Sequence, residues 1–229
     1  MKTKTLLIAA AALAAGVMSS QAQGVYSQNI VGYVNIPVPT GYSMIANPLD
    51  LDGTGTNNTV TSVLGTNSLP VGSQVLTWDG TGFNQDSFSI PVHKTVAVWT
   101  SPNTPLNPGN GFFVYNPGSP TNITVVGVAL VGTNSNPNFT SGGGYSGLAS
   151  YSPIGGDIQT NLDYSPSVGD QVLSWNNASG AYVQYSYAIP VHKTVAVWTP
   201  SNPQISVGQG FFLFTTNTAD SWTETVNVQ

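Results

Sequence analysis

The chain has 229 residues, only 6% of them charged, and its four basic residues face nine acidic ones, which gives a net charge of −5. All four basic residues are lysines, and Lys2 and Lys4 lie at the very start of the sequence. So few cations cannot neutralise several phosphates, which excludes nucleic acid as a partner and disfavours anionic lipid. The sequence contains no cysteine, so its fold must be stabilised by packing without disulfides.

The first 22 residues are predicted to be a signal peptide. Lys2 and Lys4 form a basic start, residues 6–17 form an apolar run too short to span a membrane, and Ser20-Gln21-Ala22 supplies the small residues of a cleavage site. Removing this segment leaves two lysines against nine acidic residues, a net charge of −7. We therefore expect export across the inner membrane to the cell surface or the extracellular space, with no membrane span in the mature chain.

Ten residues, IPVHKTVAVW, occur unchanged at 90–99 and at 189–198. These decamers contain both histidines, His93 and His192, and the two remaining lysines, Lys94 and Lys193. Other landmarks recur in the same order: 41–46 with 144–149, 71–78 with 168–175, and 109–115 with 208–214. The chain is therefore predicted to be a tandem duplication in which the loop lengths differ.

The composition of each half is that of an all-β fold, with short runs of Val, Ile, Tyr, Phe and Trp between Gly, Pro and Asn clusters. Asp79-Gly80 predicts a tight hairpin turn, and 176–180 a longer loop at the same place in the second half. One helical turn is expected at 58–64. In the first half, strands are predicted at 29–37, 42–48, 73–79, 82–90, 94–99, 111–116 and 122–131.

These elements predict two tandem, related antiparallel β-sandwich modules after a cleaved signal peptide. The signal peptide is 1–22, the first module 23–131 and the second 144–229. The Asn-, Gly- and Ser-rich residues 132–143 are predicted to be a linker. Strand 122–131 can belong to either half, and the sequence leaves open whether the halves share one core.

Three of the landmarks resemble a repeat of exported proteins of Gram-negative bacteria. They are GYSMIANP at 41–48, VLTWDG at 75–80 and GNGFFV at 109–114. The opening QNIVGYV at 28–34 also resembles short secreted bacterial proteins, and the second half departs from the pattern at Ser150-Tyr151, in place of Asn-Pro. The resemblance covers essentially the whole mature chain. It implies β-sandwich modules at the envelope or outside the cell, and it assigns no catalytic residue.

The residue pattern does not favour an enzyme. A Ser-His-Asp hydrolase needs its nucleophile in a Gly-x-Ser-x-Gly turn, and the stretch 144–147 lacks the last glycine. Glu224 is the only glutamate, and Asp79 aligns with Asn176, so the carboxylate pair of a glycosidase is not matched in the two halves. Catalytic residues are therefore not expected.

One candidate cation site contains Asp50 and Asp52 in the segment DLDGTGTN, 50–57. Alternating oxygen donors between glycines suit calcium, although a third carboxylate and a distal glutamate are missing. The alternative is a turn stabilised by the aspartate and asparagine side chains themselves.

Aromatic side chains provide a second candidate site. Trp99, Trp198, Trp222 and Tyr151 are candidates for stacking on sugar rings, together with Tyr145, Tyr182 and Tyr185. The alternative is that they belong to the hydrophobic core. Trp78 and Trp175 end strands of regular alternation and are predicted to be core residues.

The decamers are expected to be strands, which would place Lys94 with Val92 and Val96 on one face and His93 with Trp99 on the other. Because the lysine setting is identical in both halves, we expect an acidic side chain or several carbonyl oxygens beside Lys94 and beside Lys193. A Lys–Asn isopeptide bond is the alternative. His93 and His192 are expected to be hydrogen-bonded structural residues.

Together these features predict a non-enzymatic structural or adhesive protein of the cell surface or extracellular matrix. Its partners would be other envelope or matrix proteins, or polysaccharide. The alternative is a carbohydrate-binding protein that uses exposed aromatic rings, and the direction in which those rings point distinguishes the two.

We expect export to remove residues 1–22, so that the secreted protein begins at Gln23. The physical basis is the succession of basic, apolar and small residues that signal peptidases recognise. Intact mass spectrometry of secreted protein tests this, and a mass that includes Met1 would contradict it.

Overall fold

The computed structural model describes residues 30–137 and 139–226. The predicted signal peptide lies outside the described residues. Within them the chain is all-β and forms several antiparallel sheets. The predicted fold class is confirmed at this level.

Up to Ala129 the described chain forms seven strands and one short helix, α1. They are β1 Ile30–Val38, β2 Gly41–Ala46, α1 Val60–Leu64, β3 Gln74–Trp78, β4 Phe83–Ser89, β5 Val98–Trp99, β6 Gly111–Asn116 and β7 Thr121–Ala129. The helical turn predicted at 58–64 is α1. It begins after Thr59, whose hydroxyl accepts the backbone N–H of Ser62 at 3.2 Å while Ser62 Oγ accepts the N–H of Thr59, the reciprocal arrangement that stabilises a helix start.

The rest of the described chain forms nine further strands. They are β8 Gly132–Ser135, β9 Gly144–Leu148, β10 Gly156–Asp157, β11 Gln171–Asn176, β12 Ala181–Ala188, β13 Val197–Thr199, β14 Gln204–Ile205, β15 Phe211–Thr215 and β16 Thr223–Val226.

Two five-stranded antiparallel sheets dominate the fold, and their strands follow the same order. The first sheet is β2-β6-β3-β4-β5 and the second is β9-β15-β11-β12-β13. Trp78 and Trp175 lie in the third strand of each sheet. Phe112 opposes Thr77, and Phe211 opposes Ser174. The recurring landmarks of the sequence therefore occupy corresponding strands.

Among the described residues, three two-stranded sheets accompany the large ones, one in the first half and two in the second, where β10 pairs with β14. β1 pairs with β7 along its whole length, from Ile30 opposite Ala129 to Val38 opposite Thr121. β8 pairs with β16. The strand that the sequence left unassigned, 122–131, thus belongs to the first half.

The segment 132–143 differs from the predicted linker because it contributes β8. The sequence of β8, GTNS, has no apolar residue and no alternation, so it carries no strand signal. Its pairing partner β16 lies about ninety residues later in the chain, where no local pattern can reveal it.

Each half has its own hydrophobic cluster. In the first half, Phe112 and Val75 of the large sheet pack with Ile36 of β1, Ile123 of β7 and Leu64 of α1. The second half buries Leu148, Val172 and Phe211 of its large sheet with Ile158, Leu162 and Trp222. Apolar residues on one face of each large sheet are therefore covered by segments of the same half.

A third cluster joins the two large sheets. Met44, Phe113 and Phe212 are buried there, and Leu76, Trp78, Leu173 and Trp175 pack against them. Neighbouring residues of a strand point to opposite faces, so Phe112 faces the cluster of its own half while Phe113 faces the other half. The two halves therefore share a core in addition to their own, and we call this contact the seam.

Reciprocal hydrogen bonds cross the seam. Trp78 Nε1 donates to the carbonyl of Tyr145 at 2.8 Å, and Trp175 Nε1 donates to the carbonyl of Tyr42 at 2.9 Å. The backbone repeats the pattern, because Ala46 N–H donates to Gly208 O at 2.8 Å and Ala149 N–H donates to Gly109 O at 3.0 Å. Each half thus gives the other the same set of contacts.

The second glycine of each Gly-x-Gly-Phe-Phe motif lies where the two backbones approach most closely. A Cβ on Gly111 would be 2.5 Å from the carbonyl oxygen of Leu148, and one on Gly210 would be 2.7 Å from that of Ile45. Atoms cannot approach so closely without displacing a backbone. The motif is therefore a requirement of the seam.

We expect Gly111→Ala to destabilise the protein by about 1–3 kcal/mol, because overpacking against a fixed backbone forces local shifts. Gly32→Ala is the matched control in a strand, since nothing lies within 4 Å of a Cβ at Gly32. It should be neutral or stabilise by less than about 1 kcal/mol. Thermal unfolding of both variants measures the difference, and equal midpoints would contradict this account of the seam.

Candidate functional site

The decamers form exposed loops, and the strand predicted at 94–99 is limited to Val98–Trp99. Pro91 O accepts the backbone N–H of Lys94 at 3.0 Å, which closes a turn, and His93 has a φ of 63°. A positive φ at this turn position is typical of type II turns, and histidine adopts it more readily than most residues. The second decamer repeats this geometry, with a φ of 65° at His192. Because the turn interrupts the strand, the predicted alternation of faces is wrong.

We define the decamer loops as residues 90–97 and 189–196. Their apolar side chains point to solvent: Val92 and Val191 are each 82% exposed, and Val96 and Val195 are each 68% exposed. Only the tryptophans that follow the loops, Trp99 and Trp198, are buried. Core packing therefore explains why both decamers have a tryptophan, but it does not explain why the loop residues before it are the same in both halves.

The lysine environments differ from the prediction. Lys94 and Lys193 are exposed, and neither amine makes a hydrogen bond or an ion pair with any residue in 30–137 or 139–226. The expected acidic partner is therefore not there, and an isopeptide bond has no acceptor in contact. His93 and His192 are exposed as well, so they are turn residues rather than hydrogen-bonded structural ones. The turns that begin at Pro91 and Pro190 place the two lysines and the two histidines in loops outside the sheets.

The three tryptophans among the seven aromatic residues proposed for sugar stacking are buried. Trp99 Nε1 donates to Gly65 O at 2.9 Å, and Trp222 Nε1 donates to Leu162 O at 2.6 Å. Trp198 packs against Tyr187 with ring centroids 5.3 Å apart. Segments of the same half cover these rings, so none of them can stack on a sugar. Tyr151 is half-buried and lies over Gly109, where a Cβ would be 2.8 Å from its ring.

Tyr33 is exposed on β1, and two further predicted candidates, Tyr145 and Tyr182, are exposed at the rim of the seam. Phe83, Tyr145 and Tyr182 are exposed and, with Trp78, Leu173 and Phe212, line an apolar pocket of about 190 Å3. Trp78 and Phe83 oppose each other across the β3–β4 hairpin, with ring centroids 5.1 Å apart. Phe83 was missed by the sequence analysis, although its position after the Asp79-Gly80 turn places it opposite Trp78.

A larger cleft opens beside Trp78. It has a volume of about 530 Å3, and its walls include Asp79, Asn84, Asn110 and Tyr145. A corresponding cleft of about 540 Å3 lies beside Trp175, where Asn176 replaces the aspartate. We call the first of these the Asp79 cleft. It combines aromatic surface, amide groups and one carboxylate.

The Asp79 carboxylate is held in its charged form by the turn that contains it. The backbone N–H groups of Thr81 and Gly82 each donate to Oδ1 at 2.9 Å. These hydrogen bonds, together with that of the Thr81 hydroxyl, lower the pKa of Asp79 to about 2. Asp79 is exposed, so the cleft presents a negative charge to solvent at any pH near neutral.

The calcium candidate is an aspartate-stabilised turn. Asp50 is buried, and its carboxylate accepts Gly55 N–H at 2.8 Å and Asn58 Nδ2 at 2.9 Å. Asp52 accepts the backbone N–H of Thr54 at 3.0 Å and a hydrogen bond from Asn57, and hydrogen bonds from Thr54 and Asn57 lower its pKa. Among the described residues, no three His, Cys, Asp or Glu side chains come together in a position to hold a metal ion.

Glu224, on β16, is a buried acid that the sequence did not single out as a site. Ser150 Oγ donates to it at 2.8 Å, and Tyr151 N–H donates at 3.1 Å. Burial raises the pKa of Glu224 to about 7, against the lowering effect of the Ser150 hydrogen bond. These partners are the two residues at which the second half departs from the Asn-Pro motif.

Comparison with protein-family models finds no match, and neither do comparisons with curated proteins and with solved structures. The resemblance to exported Gram-negative repeats therefore stays a prediction. No helix among the described residues is long and apolar enough to cross a membrane. The decamer loops and the two clefts are therefore the features that bear on function.

The two decamer tryptophans offer a matched pair of variants. Trp99→Phe removes the hydrogen bond to Gly65 O, whereas Trp198 Nε1 is buried without a partner. Both changes remove similar ring area, so we expect Trp99→Phe to destabilise the protein by about 1 kcal/mol more than Trp198→Phe. Denaturant titration measures the difference. A larger loss for Trp198→Phe would contradict the hydrogen-bond argument.

Lys94→Met and Lys193→Met should each change the free energy of unfolding by less than about 0.5 kcal/mol, because both lysines are exposed and neither amine has a partner in 30–137 or 139–226. Thermal unfolding of the two variants checks this. A loss of 1 kcal/mol or more in either would show that the amine has a partner in the folded chain.

Stability should fall as pH rises from about 4.5 to about 7. In this window the unfolded chain has lost the Glu224 proton, while the folded chain, with a pKa of about 7, retains it. Glu224→Gln should remove this slope, because Gln does not titrate. Chemical unfolding at a series of pH values measures both proteins, and parallel profiles would contradict the raised pKa.

Proposed function

We propose that this chain is an exported, non-enzymatic protein with a structural or adhesive role at the cell surface or in an extracellular matrix. The observation that carries the proposal is the presentation of the same ten residues twice, with the valines of both loops exposed. The matching strand order of the two large sheets supports an arrangement of two tandem, related β-sandwich modules.

Clustered apolar side chains on a surface are typical of interaction sites, whereas scattered ones are ordinary. Each decamer loop combines Ile, Val and Val side chains with one lysine in eight residues. Hydrophobic contact supplies roughly 25 cal/mol for each Å2 of apolar surface removed from water, so two such loops can contribute appreciably to binding. The loops therefore suit contact-based assembly.

The position of the loops supports a bridging role. β5 and β13, which follow the loops, are the outermost strands of the two large sheets. β2 and β9 lie at the opposite edges, where Ile45 bridges to Gln209 and Leu148 bridges to Asn110 across the seam. The two loops are therefore carried on the sides of the sheets that face away from the seam. A protein with two equal contact elements on separate edges can join two partners.

Expression of the full chain in a Gram-negative bacterium tests the role. We expect the protein outside the inner membrane, accessible to protease on intact cells, and able to retain cells on a coated surface. The double variant Val92→Asp/Val191→Asp should be exported equally and retain fewer cells. Protein that stays in the cytoplasm, or a double variant that retains cells as well as the wild type, would contradict the proposal.

A second candidate function is carbohydrate binding, which the rim of the seam favours. Exposed Phe83, Tyr145 and Tyr182 lie beside a cleft with Asp79 and Asn84, a combination of stacking surface and hydroxyl-binding groups. A glycan array on the secreted protein tests it. Binding that is lost in Tyr145→Ala and unchanged in Val92→Asp/Val191→Asp would favour this function over the structural one.

A further inference from the structure

We propose that copies of this chain assemble head to tail, with a decamer loop of one copy docking in the Asp79 cleft of the next. This inference rests on the proposed structural role and names the partner as a second copy. It assigns a shared purpose to the two identical loops and to the charged cleft beside Trp78.

The loop is the projecting partner. Its turn places Val92 and His93 at the tip, followed by Lys94, and all three side chains are exposed. The second loop presents the same three residues in the same turn, with Val191 as exposed as Val92. Two loops with the same shape and chemistry fit the same acceptor.

Charge selects the acceptor. Lys94 and Lys193 are the only lysines among the described residues, which contain no arginine, and all nine acidic residues of the chain lie outside the decamers. Outside the loops the exposed acidic side chains of the described residues are Asp52, Asp79 and Asp163, and no basic side chain accompanies them. Opposite charges promote association between copies. Asp79 is exposed and charged, while neither lysine amine makes a hydrogen bond or an ion pair with residues 30–137 or 139–226 of its own copy. An ion pair between copies would give the lysine amine an acidic partner, in addition to the hydrogen bonds that Asp79 already accepts from Thr81 and Gly82.

The shape of the cleft agrees with this assignment. Its volume of about 530 Å3 is lined by the accessible rings of Trp78 and Tyr145 as well as by Asp79 and Asn110. A valine at the tip of a turn can pack on the apolar wall while the adjacent lysine reaches the carboxylate. The cleft beside Trp175 has Asn176 at the corresponding place. Of the two clefts, the Asp79 cleft is therefore the one that offers a carboxylate to the lysine.

The hairpin holds the loop and the cleft of one copy apart. Asp79 lies in the turn before β4, and the decamer loop begins directly after the seven residues of β4. Strands rise about 3.3 Å per residue, so the two ends are roughly 20 Å apart. The contact is therefore between different surfaces of two copies. Such a heterologous contact propagates as an open chain unless the rotation closes a ring.

Sedimentation velocity of the secreted, purified full chain tests the proposal over a range of protein concentrations. We expect the average mass to rise with concentration and to fall when salt is added, because the loop–cleft pair is exposed to screening. Val92→Asp/Val191→Asp and Lys94→Glu/Lys193→Glu should each raise the dissociation constant by about tenfold or more. Asp79→Lys should do the same. Circular dichroism establishes that each variant is folded.

A charge exchange distinguishes a specific contact from a general effect of charge. Lys94→Glu/Lys193→Glu combined with Asp79→Lys should restore assembly, because the signs are again opposite. Val31→Asp/Val126→Asp is the matched control, since these exposed valines lie on β1 and β7 and should leave assembly unchanged. Failure of the exchange to restore assembly, or equal loss in the control, would overturn the loop–cleft contact.

A wild-type chain that stays monomeric at all concentrations would overturn self-assembly and leave the structural role standing. Retention of cells on a coated surface measures that role separately. If the monomeric protein still retains cells and the loop variants do not, the loops bind a different partner and the proposed function survives. If neither retention nor assembly is seen, both proposals fail.

Discussion

The close approach of backbone to backbone at the seam is the constraint on which the rest of the structure depends. Gly111 and Gly210 have no side chain, so the carbonyls of Leu148 and Ile45 can lie within 3 Å of where a Cβ would be. This approach brings Phe113 and Phe212 into one cluster with the two tryptophans at the ends of the β3 and β11 hairpins. β6 is consequently buried on both faces over its first four residues.

Strands near the seam are buried on both faces, whereas the outermost strands at the opposite edges, β5 and β13, are short. β5 and β13 are only two and three residues long, and each is anchored by one buried tryptophan. The residues before them have no sheet to pair with and fold into a turn instead. The position of the decamer loops at the outer edges is therefore a result of where the seam concentrates the apolar residues.

Much of this fold was predictable because its signals are local. The alternation and turn residues placed β1 to β4, β6 and β7 within one or two residues, and Asp79-Gly80 located the β3–β4 turn. Two features were missed, one because it has no local signal and the other because its local alternation is misleading. β8 consists of GTNS and is a strand only because β16 pairs with it. The decamer alternates like a strand, but Pro91 and the left-handed His93 turn the chain before it can pair. Burial of Trp99 and Trp222 likewise depends on carbonyls far away in the chain, at Gly65 and Leu162.

The interior polar residues of the two halves have diverged, while the exposed decamers are identical. Asn47 donates to Leu106 O in the first half, and Ser150 takes its place in the second, bonded to buried Glu224. Ser73 gives way to Asp170, which accepts the Tyr164 hydroxyl at 2.7 Å. Ordinarily loops vary around a fixed interior, and the decamer loops depart from that pattern. Packing can be satisfied by many combinations of side chains, whereas a surface that must fit the same partner at two places cannot change at one of them alone. Packing within the two cores therefore does not account for the identity of the decamer loops, whose valines are exposed.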